Sequence, residues 1–116
     1  MQVITIPEAT PSLNVVLRKF RNLHARKKEQ ERWDWMVRAA WRKTETLSEC
    51  EIIITRFASR LLDWDNMGGG LKFLMDGLVH NGVIADDNPV VVRRAHLEQV
   101  KTPIKDAHTV VVISPR

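Results

Sequence analysis

The spacing of apolar residues changes several times along the chain, and each change marks an element. Gln2 to Ile6 is short, rich in β-branched residues and closed by Pro7, which predicts a strand. Pro11-Ser12-Leu13-Asn14 then has the composition of a turn. From roughly Ala25 to Lys43 the period becomes helical: Trp33, Met36, Val37, Ala40 and Trp41 fall at i, i+3, i+4, i+7 and i+8 and make a stripe that must face a core or a partner. Trp35 lies off the stripe and is the tryptophan expected at the surface. Glu51 to Phe57 carries the β-branched run Ile52-Ile53-Ile54-Thr55 and predicts a strand buried on both faces. A second helix is expected from about Leu71 to His80, where Leu71, Leu74, Met75, Leu78 and Val79 share a face and Asn81-Gly82 supplies a stop. Val90 to about Val100 and His108 to Ile113 read as two further strands, separated by Thr102-Pro103 and the Lys105-Asp106 region. Strand, helix, strand, helix, strand, strand predicts an α/β (α+β) fold, with a mixed sheet of about four strands packed against two main helices.

The 116 residues show no internal repeat and no low-complexity stretch, so a single domain spanning 1–116 is expected, large enough to hold one core without crosslinks. Cys50 is the only cysteine, which leaves no intramolecular disulfide. No apolar run approaches the ~20 residues of a bilayer span, and Met1-Gln2-Val3-Ile4 lacks the plan of a signal peptide, so a cytoplasmic location and no membrane partner are expected. Charge is unevenly spread. Between Arg18 and Lys43 stand ten basic residues against Glu29, Glu31 and Asp34, so this segment carries +7 of a total of +4 and the remainder is acidic. Arg18, Lys19, Arg21, Arg26, Lys27 and Lys28 suit a phosphate backbone; the competing explanation is a solvated helix face.

The acidic positions are grouped. In Leu61-Leu62-Asp63-Trp64-Asp65-Asn66 two carboxylates stand two residues apart, which in an extended segment projects both to one side. Adjacent anions raise each other's pKa unless a cation intervenes, and a hard divalent ion such as Mg²⁺ or Mn²⁺ meets that need. Helix capping by Asp65 or Asn66 is the simpler alternative for one residue of the set. Asp86-Asp87-Asn88-Pro89 is a second group, and Asn81 to Ala85 gives slack to bring Asp86 or Asp87 back beside Asp63 and Asp65, although an Asp-Asn-Pro turn explains itself. Lys72 pairs by spacing with Asp76 on a helix surface, or neutralises phosphate charge beside a carboxylate cluster. Gly68-Gly69-Gly70 lacks a P-loop ending and reads as a flexible connection. Met67 and Leu74 stand where an EF-hand needs oxygen ligands, the four histidines lack zinc spacing, and no nucleophile elbow is present.

Taken in order, Asp63-x-Asp65-Asn66, Lys72-x-x-x-Asp76-x-Leu78, Gly82 and Asp86-Asp87 resemble the motif series of the RusA family of Holliday-junction resolvases. Ile4-Thr5-Ile6-Pro7 followed by Pro11-Ser12-Leu13-Asn14 is similar to that family's opening strand and turn. The resemblance implies a homodimeric, Mg²⁺- or Mn²⁺-dependent endodeoxyribonuclease that resolves four-way DNA junctions by paired symmetrical nicks, of a type frequent in phages and prophages. It implies Asp63, Asp65 and Asp87, with Asp86 adjacent, as metal ligands and Lys72 as an assisting residue. The chain departs from the family in the interval before Lys72, which Gly68-Gly69-Gly70 lengthens. A flap nuclease of the same fold and a DNA-binding protein without catalysis are the competing functions.

Overall fold

A computed structural model describes residues 1–116. The elements are β1 (Gln2–Ile6), α1 (Leu13–Lys19), α2 (Leu23–Ala40), β2 (Cys50–Ala58), α3 (Trp64–Gly69), α4 (Lys72–His80), β3 (Val92–Lys101), a 3₁₀ turn at Ile104–Asp106, and β4 (His108–Pro115). The four strands form one mixed sheet in the order β1-β4-β2-β3. β4 is antiparallel to both β1 and β2, whereas β2 and β3 are parallel. Three strands, β1, β2 and β3, therefore end at the same edge of the sheet. The expected α+β architecture is present, with α1 and α3 added to the two helices the periodicity indicates.

The added helices have local causes. Ser12 is the N-cap of α1, its Oγ accepting from the Val15 amide at 3.1 Å, so the turn-like composition of Pro11 to Asn14 opens a helix that buries Val16. Asn22 caps α2 in the same way through the Ala25 amide at 2.8 Å, and α2 stops at Ala40, short of the expected Lys43, because Trp41 turns to an extended conformation. The α2 stripe faces inward as its spacing requires, with Trp33 and Val37 buried and Met36, Ala40 and Trp41 packed at the core's edge. Trp35 is 67% exposed, with the Arg38 guanidinium 5.4 Å from its ring centre. α2 crosses α4 at Gly77, where even an alanine Cβ would come within 3.2 Å of Val37 Cγ2. Arg32 ties α2 to the segment after β1 through Glu8 and also pairs with Glu29. That bond, more than any other contact, holds the Glu29 carboxyl below the usual carboxylate range.

The core lies on one side of the sheet. Ile4 and Ile6, Ile52 and Ile54, and Val111 and Ile113 alternate inward against α2 and α4. The expectation that β2 is buried on both faces is not met: Ile53, in the middle of the β-branched run, is 43% exposed, because no helix covers the second face.

The glycine run also departs from expectation. Gly68 and Gly69 belong to α3, and Gly70 is its C-cap, pressed against the chain entering α1. An alanine Cβ at Gly70 would fall 1.7 Å from the Pro11 carbonyl oxygen, whereas at Gly68 it would meet nothing within 4 Å. Gly69 and Gly70 make a packing contact between α3 and the start of α1, which a flexible connection would not provide. Gly70→Ala is accordingly expected to destabilise the fold by ~3 kcal/mol through overpacking. Gly68→Ala, in the last turn of α3 with open space around it, should instead stabilise slightly, by at most ~0.5 kcal/mol. Urea denaturation of the two variants measures both signs.

Candidate metal and DNA-binding site

A row of three polar side chains crosses the helix-facing side of the sheet near its carboxyl edge, where Arg56 of β2 stands in register with Thr109 of β4 and Gln99 of β3. Thr109 Oγ1 donates to the Glu8 carbonyl (2.8 Å) and accepts from the Thr10 amide (3.1 Å). Arg56 Nε donates to the Thr10 carbonyl (2.7 Å) and Nη1 to the Arg60 carbonyl (2.8 Å). Gln99 donates to the Leu62 carbonyl and accepts from the Leu62 amide, both at 2.8 Å. These bonds satisfy backbone groups of the segments that leave β1 and β2, which otherwise would lack partners. Arg56 has no carboxylate partner, and burial pushes its pKa down, although a guanidinium remains a cation at neutral pH. Sequence reasoning passed over all three residues. Their signal was the strand alternation itself, which sets Arg56 on the same face as Ile52 and Ile54, and Gln99 on that of Leu97.

Asp63 follows the segment that Gln99 holds. It is the N-cap of α3 in an extended conformation, yet its side chain makes no capping bond, and Asp65 sits in the first turn of α3. The two carboxylates thus flank a helix start; they do not alternate along a strand. Both are exposed and neither is in an ion pair. Mg²⁺ commonly takes one or two protein carboxylates and fills its octahedron with waters and substrate phosphates, so the donor chemistry of Asp63 and Asp65 fits such an ion.

Asp86 and Asp87 are elsewhere. Ala85 donates to the Leu47 carbonyl at 2.9 Å and Cys50 to the Val91 carbonyl at 2.8 Å, which seats the 85–91 segment beside the amino end of β2. Leu62, by contrast, lies at the level of Gln99 and Arg56. The six-residue rise from Cys50 to Arg56 separates the two levels by roughly 20 Å. Within the turn, Asp86 accepts from the Asp87 amide (2.7 Å) and from Asn88 Nδ2 (3.0 Å), and Asn88 Oδ1 accepts from the Val90 amide (2.9 Å). No group of three or more Asp, Glu, His or Cys side chains in the chain is arranged to hold a metal ion. The structure therefore brings Asp63 and Asp65 to one end of the sheet and Asp86 and Asp87 to the other.

Lys72 is in the spacing-predicted pair with Asp76 at 3.1 Å, on an exposed helix surface. It also lines a groove of about 460 Å³ between α1, α2 and the α3–α4 junction, together with Leu17, Leu23, Phe73, Arg26 and Lys27. Arg18, Lys19, Arg21, Arg26, Lys27 and Lys28 are all exposed. Arg26 Nε donates to the Phe20 carbonyl at 2.7 Å, and none of the six is in an ion pair. α1 packs on α3, so this basic surface lies at the same end of the molecule as Asp63 and Asp65.

Comparison with known proteins returns no match, either to a protein-family description or to a curated protein. No helix is long and apolar enough to cross a membrane.

Gln99→Leu keeps the side-chain volume and removes both bonds to Leu62. The expected cost is about 1–3 kcal/mol of stability, with faster amide exchange over residues 60 to 65 and unchanged exchange in β2. Denaturation together with hydrogen–deuterium exchange reads both effects.

Proposed function

We propose that this protein is a divalent-metal-dependent endonuclease of branched DNA, of the RusA type, acting as a homodimer that resolves four-way junctions by paired nicks. The observation that carries the reading is the placement of the Asp63-x-Asp65-Asn66 motif at the shared carboxyl edge of β1, β2 and β3, the same end as a groove rimmed by Arg26, Lys27 and Lys72. Carboxyl edges of such strands are where open sheets with helical crossovers most often bind ligands.

In this reading Arg18, Lys19, Arg21, Arg26, Lys27 and Lys28 hold the phosphates of a DNA arm, which supplies affinity without sequence preference. Asp63 and Asp65 would hold Mg²⁺ or Mn²⁺, which would supply Lewis acidity at the phosphodiester. Lys72 sets a positive charge toward the same groove; its exposed ammonium is free to exchange Asp76 for a phosphate oxygen. Gln99 acts as a positioning residue, holding Leu62 and with it the approach to Asp63. Asp86 and Asp87 do not join this set within one chain, because the crossover sets them at the opposite end of the sheet.

The test is cleavage of a synthetic four-way junction, a flap and a plain duplex with Mg²⁺ or Mn²⁺, with binding measured in parallel. Symmetrical nicks in the junction are expected, abolished by Asp65→Asn while binding persists. Lys27→Ala should weaken binding to all three DNAs and lower the slope of log affinity against log salt by about one. Tight binding with no cleavage under either ion would overturn the enzymatic reading in favour of a non-catalytic DNA-binding protein. Preferred cleavage of the flap would overturn the junction assignment alone.

A further inference from the structure

The sheet carries a second layer of side chains on the face that no helix covers. Val3, Ile53, Phe57, Val100, Val110 and Val112 alternate outward there, with Val3 at 57%, Ile53 at 43% and Val100 at 42% exposure. Phe57 stacks on His108 at 4.1 Å. An Ile-Ile-Ile run is the pattern of a strand covered on both sides, and one copy of the chain covers one. The charges on this face are balanced among themselves: Glu51 lies 3.8 Å from Arg94 and 3.6 Å from Arg116, and Glu98 lies 2.6 Å from His96. A face with no net positive charge is a poor seat for nucleic acid or anionic lipid, and the basic surplus of the chain lies on the helices instead.

We infer that the open sheet face is the dimer interface, covered by the same face of a second copy. Strands of 5, 9, 10 and 8 residues set ~4.8 Å apart give a face of roughly 500 Å² in projection. Side-chain relief raises its accessible area further, into the range of ~600–1,000 Å² per partner that stable interfaces use. The face is also complementary to itself. Val3, Val112, Ile53 and His96 stand in one register row across the four strands. A twofold axis along that row stacks each strand antiparallel on its own copy and superposes the apolar centre on itself. On β3, Arg94 and Glu98 lie two residues to either side of His96, so the same axis sets Arg94 against the Glu98 of the second copy. Antiparallel stacking also sets each copy's Asp86–Asp87 end over the other's Asp63–Asp65 end. The second copy is then the only source of any contribution that Asp86 or Asp87 makes there.

The inference rests on the homodimer of the proposed function, and its test uses neither DNA nor metal, so the interface and the nuclease activity are read in separate experiments. Mass is measured by sedimentation equilibrium across the micromolar range. The wild-type chain is expected at twice its 13.4 kDa, and Ile53→Glu and Val3→Lys, at positions exposed in one copy, at 13.4 kDa with unchanged circular dichroism. Arg94→Glu should weaken the dimer at least ~10-fold, and Arg94→Glu combined with Glu98→Arg should restore it, as expected for a charge pair across an interface. A monomeric wild type, or a dimer that survives both apolar-to-charged substitutions, would overturn the interface. A double variant no tighter than Arg94→Glu alone would overturn the twofold.

Discussion

Parallel pairing of β2 with β3 obliges the chain between them to travel back along the whole length of the sheet before the second strand begins. α3 and α4 make that return, and every other placement in the molecule follows from it. The crossover starts at the carboxyl edge, where Asp63 and Asp65 lie, and finishes at the amino edge, where Asp86 and Asp87 lie. It also sets α4 against α2, which brings the basic amino-terminal half of α2 to the Asp63 end and leaves the opposite face of the sheet bare.

The carboxyl edge is held more firmly than loops usually are. Thr109, Arg56 and Gln99 fasten the chain leaving β1 and the chain leaving β2 to the same row of the sheet, and Gly70 lets α3 press onto the Pro11 carbonyl that precedes α1. Two segments far apart in sequence are thus fixed relative to one another at the edge that leads into Asp63 and Asp65. The amino edge is held differently, by backbone bonds that join Leu47 to Val83 and Ala85 and Cys50 to Val91, while the Asp86 turn itself is closed by its own side chains and by Asn88.

Much of the fold was legible because it rests on local periodicity. The stripe of Trp33, Val37 and Trp41, the alternation in the strands and the Asn81-Gly82 stop each report a face or an end without reference to the rest of the chain. α1 was missed because Ser12 serves equally as a turn residue and as a cap, and only the helix that follows distinguishes the two. The bare face of β2 was missed because an apolar run states that burial is favourable but not what supplies it. In the candidate site, Asp63, Asp65 and the basic residues were visible as residue types in a motif. Their distance from Asp86 and Asp87 was not, since slack in a loop permits an approach that strand direction then forbids. Arg56 and Gln99 escaped notice because polar residues inside strands look like exceptions until their backbone partners are known.

The separation of the two acidic pairs is the claim on which the assignment of the site rests, and a distance within one chain tests it most directly. Spin labels at positions 65 and 87, in a Cys50→Ala background and diluted with unlabelled protein so that only intrachain pairs are read, give that distance by pulsed electron resonance. A separation on the order of 20 Å or more is expected from the strand rise between the two levels. A separation under about 10 Å would contradict the account, since Asp65 and Asp87 would then be close enough to serve one ion within a single chain.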